Sequence, residues 1–471
     1  MPTQREWTIL LYMAGDNGKT FQTKQGNYSL MAEMTGAGYK DIAEVEQIGT
    51  TDQVAVLAQF DTLPAKDTEG ANLGTQEGGT YRLEIHKDRL VKENIVEIIP
   101  EVNTGDPAEL SKFIVWGMNR CPAKRTMLVL WNHGMGWKDD DIYETLQRKR
   151  SVKRKPNRIP SKPMFRSTAV AIDEKVNRAR SDEKRAILAD DTSMDFLTNV
   201  EMSQALRVAE FAQDEAEAAA IFKDADRLKE IMTRGTEGSL RHLSIIGMDA
   251  CLMAMIEVQY QVRKFADVMV ASQEVEPMHG WPYTEILEKL NLRPTMDASE
   301  LGALIVEQFA ESYVATKRTP PSVTQSAINL SKLGDAGLLI RSFSRALAKD
   351  FDDVYLKEVY RDAKEYAADQ GYAFEDPEYI DLISFLRAML TGYKGTGAQP
   401  RTLAAAQKLL DWLVSDQSPI IKSLVTGKFE NKAHGISIYV PTGTRSPLYA
   451  DLDFKSTGWP RTLETISKPQ R

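Results

Sequence analysis

Short apolar runs, each closed by a small or polar residue, constrain this chain more than any other feature. They are Thr8 to Met13, Val54 to Phe60 stopping at Asp61, Met127 to Trp131 ending at Asn132, Leu243 to Met248 ending at Asp249, and Asp267 to Ala271 ending at Ser272. Runs of this length read as strands buried on both faces. Helical patterns separate them. One spans Pro107 to Met118, with Asp106 as its start and Leu110, Phe113, Ile114 and Met118 on its apolar side; another runs from about Glu201 to Phe211. Buried strands alternating with helices predict an α/β fold around a mostly parallel sheet. In such sheets functional side chains gather at the carboxyl ends of the strands.

Composition sets the outer limits. A chain of 471 residues with 42% hydrophobic and 27% charged residues has enough apolar material for a large core without crosslinks. Its two cysteines, Cys121 and Cys251, exclude a disulfide framework, so each is either a small buried residue or a reactive group. A net charge of -8 argues against nucleic acid as partner. No apolar run reaches the roughly 20 residues of a membrane span. The apolar stretch Trp7 to Ala14 follows Arg5 and Glu6 and lacks a small-residue cleavage site, so it reads as a strand rather than a signal peptide, which leaves a cytoplasmic location as the default. A monomer is expected.

Residues 138–188 break the pattern as a basic loop insertion. From Arg148 to Arg185 there are fourteen Lys and Arg against four Asp and Glu, with Pro156, Pro160 and Pro163 among them. Mutual repulsion and missing backbone donors make this a long exposed loop, either a solvated insertion or a functional one. The chain changes character after about Thr319: Val323 to Leu330 alternates like a strand, Asp335 to Leu347 and Leu356 to Ala368 read as charged helices, and Gly435 to Pro441 as one late strand. The expected division is a catalytic domain over 1–318 and a helix-rich subdomain over 319–471.

Two strand ends carry the candidate chemistry. In Asp249-Ala250-Cys251-Leu252-Met253 a strand stops and Cys251 opens a pattern that reads as helical through about Val262. A thiol in a helix's first turn feels unpaired backbone N–H groups, which favour the nucleophilic thiolate; the other reading is a small buried residue at a strand–helix corner. Cys121, before Pro122, lacks such a setting and reads as structural. In Trp131-Asn132-His133-Gly134-Met135-Gly136-Trp137 the imidazole of His133 follows a strand, and the glycines clear space beside it. Gly134 brings a backbone N–H where an oxyanion donor is needed. His279, between Pro277 and Gly280, is the best rival base; His86, His242 and His434 sit in or beside strand patterns. Asp139-Asp140-Asp141 and Asp190-Asp191 lack the alternating ligand spacing of a calcium loop, so no metal is expected. Gly15 to Thr20 ends like a phosphate loop but has Met13 where the first glycine belongs, and no cofactor is expected.

These residues bear a resemblance. Asn132-His133-Gly134 and Asp249-Ala250-Cys251-Leu252-Met253 resemble the His and Cys motifs of clostripain-like cysteine peptidases, relatives of caspases, gingipains and legumains. Tyr12 to Asn17, Gln59-Phe60-Asp61, Asp190 to Ser193, Ala271-Ser272-Gln273-Glu274, Gly280-Trp281-Pro282-Tyr283 and Ala433 to Tyr439 add matches in the same order along most of the chain. The resemblance implies a caspase-like α/β/α sandwich and an endopeptidase with Cys251 as nucleophile and His133 as acid/base partner. It also implies cleavage of polypeptides after Arg or Lys, Asp249, Ser272 and Gln273 as substrate-binding residues, and self-processing in the basic loop. Asp249 also sits where a helix cap belongs, and the two roles are compatible. Glu274 and Glu276 are further acidic candidates whose simpler reading is surface solvation. The alternatives from other classes are a catalytically silent scaffold that binds peptides and an interaction protein using the basic loop as an arm.

Overall fold

The structure is a computed structural model that describes residues 4–16, 19–22, 28–31, 33–62, 79–137, 187–190, 193, 195–235, 238–314, 322–352, 354–369, 374–393, 400–441 and 447–466. The expected boundary at 318/319 and nearly all of the basic insertion, residues 138–186, lie outside these. The chain divides into two compact units, Met1–Ala250 with Pro277–Asp297 and Cys251–Glu276 with Ala298–Arg471.

The first unit is built on β1 (Arg5–Gly15), β4 (Val54–Thr62), β7 (Ala123–Trp131) and β10 (Leu243–Asp249). Two hairpins, β2 (Lys19–Gln22) with β3 (Tyr28–Met31) and β8 (Ile187–Asp190) with β9 (Asp195–Leu197), stand apart from them. β1 pairs in parallel with β4 on one side and β7 on the other, and β7 pairs in parallel with β10. Every residue of β4 and β10 is buried, which is why they are unbroken apolar runs rather than alternating ones. β5 (Gly79–Glu84) and β6 (Ile95–Ile99) extend the sheet antiparallel from β4. The apolar-run reading missed both, since β6 exposes its middle residues and so carries no continuous hydrophobic signal.

Register aligns the strand ends. Asp61 pairs with Ala14, Met13 with Trp131, and Trp131 with Asp249, so the carboxyl ends of the four parallel strands form one rim. The helix Pro107–Arg120 packs on β1 and begins as expected: Asp106 Oδ1 accepts from Ala108 N at 2.8 Å and Pro107 occupies the first turn, where its missing N–H costs nothing. The helix Asn199–Phe211 starts two residues earlier than its apolar pattern, because Thr198 and Glu201 form a reciprocal capping box.

In the second unit β12 (Thr324–Asn329) lies antiparallel between β11 (Ala266–Ala271) and β14 (Ile420–Val425). β13 (Tyr379–Asp381) and β15 (Ser437–Tyr439) form a small antiparallel pair. The helices Leu333–Asp350, Val354–Asp369, Leu382–Gly392 and Arg401–Leu413 pack on one another, the first two matching the expected charged helices. The late strand is real but covers only three of the seven residues expected, because β13 offers a partner only that long.

One local expectation fails. The helix expected from Cys251 begins only at Ile256. Leu252 N donates to Glu274 O at 3.2 Å and Ala254 N to Ser272 O at 2.8 Å, while Ser437 N donates to Ala254 O. These groups are bonded to neighbouring segments and not along a helix of their own, so no helix forms directly after Cys251. Leu252, at φ +62°, makes the turn. Among the described residues no helix is long and apolar enough to cross a membrane. The expected α/β architecture, strands interleaved with helices around a mostly parallel core, is present.

Candidate active site

His133 is fixed from the tip of β7. Asn132 N donates to Asp249 O at 3.3 Å, Asn132 Nδ2 donates to Ala14 O, and Asn132 Oδ1 accepts from His133 N. One asparagine thus ties β7 to its neighbours β1 and β10 and sets the backbone that carries the imidazole. His133 is buried, and so is Gly134. Gly136, at φ +64°, turns the chain, and its carbonyl accepts from Asn199 Nδ2 at 3.1 Å.

Asp249 closes β10 in the same unit. Its Oδ2 accepts from the Tyr283 hydroxyl at 2.8 Å and from Trp281 N at 3.3 Å. Against this buried carboxylate stands Gly280, at φ +54°, where a Cβ would come within 3.0 Å of both carboxylate oxygens. Two more acids lie near. Asp41 accepts from Trp131 Nε1 at 2.6 Å, and Glu44 from Tyr283 N at 3.1 Å. Burial, and after it the charge of Asp249, holds the Asp41 carboxyl well above its ordinary range; Glu44 is raised by burial first and by its acidic neighbours after. Asp249 therefore has two further carboxyls in its surroundings, both raised by burial. Asp249 caps no helix, since the next one starts at Ile256 with Met255 before it.

Cys251 belongs to the second unit and is half-buried. Its Sγ accepts from Glu276 N at 3.3 Å and lies 3.9 Å from Glu276 O. With the helix starting five residues on, the macrodipole, which fades within one turn, does not reach the thiol. Glu276 thus offers the sulfur a backbone donor and, for a thiol proton, a backbone acceptor.

The segment that holds Cys251 is internally bonded. Ser272 Oγ meets Thr324 Oγ1 at 2.9 Å and accepts from Glu274 N at 3.2 Å. Gln273 Nε2 donates to Asp381 Oδ2 at 3.0 Å, and its Oε1 accepts from Gly435 N at 2.7 Å. Glu274 and Glu276 are buried, contrary to the solvated surface expected of them. Glu274 Oε1 accepts from Val275 N at 2.8 Å, and burial pushes this carboxyl up to about 7. Glu276 Oε1 accepts from Gln325 Nε2 at 3.0 Å.

The clostripain family model matches residues 32–151 and 173–466, most of the chain. The chain belongs to the clostripain family of cysteine peptidases. Clostripain of Hathewaya histolytica is 24% identical over 342 residues, covering 66% of this chain and 51% of that protein, so the chain matches about half the length of this curated relative. A secreted C11 cysteine protease of Bacteroides thetaiotaomicron, solved with an irreversible peptide inhibitor, aligns over 97% of this chain and 99% of its own at 15% identity with a TM-score of 0.53. An inactive zymogen C11 protease of Parabacteroides distasonis aligns over the same shares at 17% identity with a TM-score of 0.55. At such identities the likeness establishes the caspase-like fold.

Within this clostripain-family chain, the remaining sequence candidates fall into place individually. His279 is exposed. His434 is engaged in the second unit, with Nδ1 2.9 Å from Asp381 Oδ1 and Nε2 2.8 Å from an Arg387 nitrogen. Since Arg387 can only donate, Nε2 accepts and the proton sits on Nδ1, facing Asp381. Cys121 is buried at the end of the helix Pro107–Arg120, where burial pushes its thiol up. Asp139 to Asp141 and Asp191 lie outside the described residues. Sequence reasoning missed Asp41 and Glu44, which sit on the helix Glu33–Glu46 with nothing local to mark the one as a buried and the other as a half-buried acid near a strand end. It also missed a grouping of Asp16, Asp61 and Glu101, whose ligand atoms lie within 4.8 Å of one another.

Proposed function

We propose that this chain is an endopeptidase that cleaves polypeptides after Arg or Lys, with Cys251 as nucleophile and His133 as its acid/base partner. The observation that carries the specificity is the buried Asp249 carboxylate facing Gly280, with the Asp41 and Glu44 carboxyls close by. Glycine there leaves room beside the carboxylate, and a guanidinium or ammonium would pair with it and favour ionisation of the neighbouring Asp41 and Glu44 carboxyls. Family membership supports the nucleophile, and the Glu276 N–H directed at Cys251 Sγ supports its thiolate form.

In this reading the Cys251 thiolate attacks the carbonyl carbon on the acyl side of the cut bond. The backbone N–H groups of Gly134 and Cys251 hold the oxyanion, and the protonated His133 imidazole gives its proton to the departing amine, leaving a thioester on Cys251. Water, deprotonated by the now neutral His133, attacks the thioester and releases the acid and the thiolate. Ser272 and Gln273 serve the substrate through position rather than contact, by locking the segment that carries Glu276 N. Self-processing between Arg148 and Arg185 is part of the proposal, in keeping with the zymogen form described for the Parabacteroides distasonis protein. The test is hydrolysis of an Arg-reporter peptide. Cys251→Ala is expected to lower kcat at least about a thousandfold and to leave a single uncut chain after incubation. Parental rates in that variant would remove the nucleophile assignment.

A further inference from the structure

We propose that Asp381 and His434 are positioning residues for the Cys251 thiol, acting through Gln273 on the backbone that flanks the sulfur. Their role rests on Cys251 being the nucleophile; their contacts, all within the second unit, do not.

Asp381 is fully buried, where a carboxylate is costly unless donors surround it. Four donors converge on it. Its Oδ1 accepts from Ser384 N at 2.8 Å and from His434 Nδ1 at 2.9 Å, and its Oδ2 from His434 N at 2.8 Å and Gln273 Nε2 at 3.0 Å. The Gln273 amide is buried too, and these contacts fix its sense: with Nε2 given to Asp381, its Oε1 accepts from Gly435 N at 2.7 Å. Gly435 approaches this closely because it lacks a side chain. At its φ of +105°, a Cβ would stand 3.0 Å from the Cβ atoms of Ser326 and Ser423.

The same stretch reaches the chain that carries the thiol. Ser437 N donates to Ala254 O at 2.9 Å, while Ala254 N and Leu252 N donate to Ser272 O and Glu274 O. Residues 251–255, 272–276 and 433–437 thus form one hydrogen-bonded set, in which Cys251 Sγ meets Glu276 N at 3.3 Å and Glu276 O at 3.9 Å. Asp381 closes the set by tying His434 to Gln273. Only a carboxylate serves, since every group facing it donates; an amide would set its own N–H groups against two of them. Were Gln273 to turn over and accept from that amide, its own NH2 would meet Gly435 N, so a mismatch persists either way. The run Ala433 to Tyr439, matched in the sequence without a role, thereby gains one.

The test uses the full chain, an Arg-reporter peptide, and amide hydrogen exchange read by mass spectrometry. Asp381→Asn should lower kcat at least about tenfold while KM changes less than about threefold. Peptides covering 251–256 and 272–276 should exchange at least about tenfold faster in that variant. His434 is half-buried and tolerates change more readily. His434→Ala should lower kcat at least about fivefold, whereas His434→Asn, whose side-chain N–H groups still reach towards Asp381, should recover about half the parental kcat or more. Leu409→Ala, a cavity in the buried face of the helix Arg401–Leu413, lowers Tm without touching the set and should keep parental kcat. A kcat loss in Asp381→Asn no larger than in Leu409→Ala, unchanged exchange in the two segments, or equal impairment in both His434 variants would overturn the assignment. If Asp381→Asn does not fold, the two His434 variants decide it. Parental turnover in Cys251→Ala would instead overturn the nucleophile, and with it the role but not the hydrogen-bonded set, which the exchange data test separately.

Discussion

Replacing Asp249 by Asn removes a charge and almost nothing else, which makes it the sharpest probe of specificity. Asparagine keeps an acceptor oxygen for the Tyr283 hydroxyl and Trp281 N. Removing the Asp249 charge also eases the repulsion on Asp41, whose carboxyl is raised by burial and then by that charge. Stability should therefore change by no more than about 1 kcal/mol. Binding of a cationic side chain should suffer far more. An Arg buried against a lost carboxylate costs about 3–5 kcal/mol, or roughly two to nearly four powers of ten in kcat/KM. The assay compares reporter peptides ending in Arg and in norleucine, with Tm measured alongside. The expected result is that kcat/KM for Arg falls at least about a hundredfold while the norleucine peptide changes less than about threefold. Equal losses on both peptides, or a Tm collapse with unchanged Arg preference, would show that Asp249 only holds the fold and would refute the reasoning.

Other outcomes rest on single contacts. Gly280→Ala forces a Cβ to 3.0 Å from both Asp249 oxygens at a left-handed φ, so unfolding studies should show a loss of about 1–2 kcal/mol and kinetics a raised KM for Arg peptides. Glu257 is fully buried and held up to about 7 from 4.5 by burial, against donors from Tyr449 Oη and Tyr439 N. Because its folded pKa is the higher one, its protonated form contributes fully below pH 4.5, and that contribution is lost as pH rises through about 7; the shift caps the loss at about 3 kcal/mol. Glu257→Gln keeps the acceptor, so it should flatten the fall of Tm between pH 5 and 8; an unchanged slope would mean that Glu257 is not the group responsible.

The sequence announced the parts of this molecule whose signal is local. Strands buried on both faces must be apolar throughout, so β1, β4, β7, β10 and β11 were legible as runs, and with them the rim where His133 and Asp249 sit. Signals that depend on distant partners were not legible. The residues after Cys251 have helical spacing, yet their N–H groups find Glu274 O and Ser272 O, and pairing with that segment overrides propensity. Glu274 and Glu276 look like solvent-facing acids until Val275, Glu375 and Gln325 supply donors that let them be buried. Asp16, Asp61 and Glu101 are separated by whole strands, and only the register of β1 with β4 brings the first two together.

The most direct test of the central claim is to map where an Arg-directed chloromethyl ketone attaches. Mass spectrometry of the treated chain should find one adduct, on Cys251, none on buried Cys121, and labelling slowed at least about a hundredfold in His133→Ala. An adduct on another residue, or labelling of Cys251 at the same rate without the imidazole, would contradict the account.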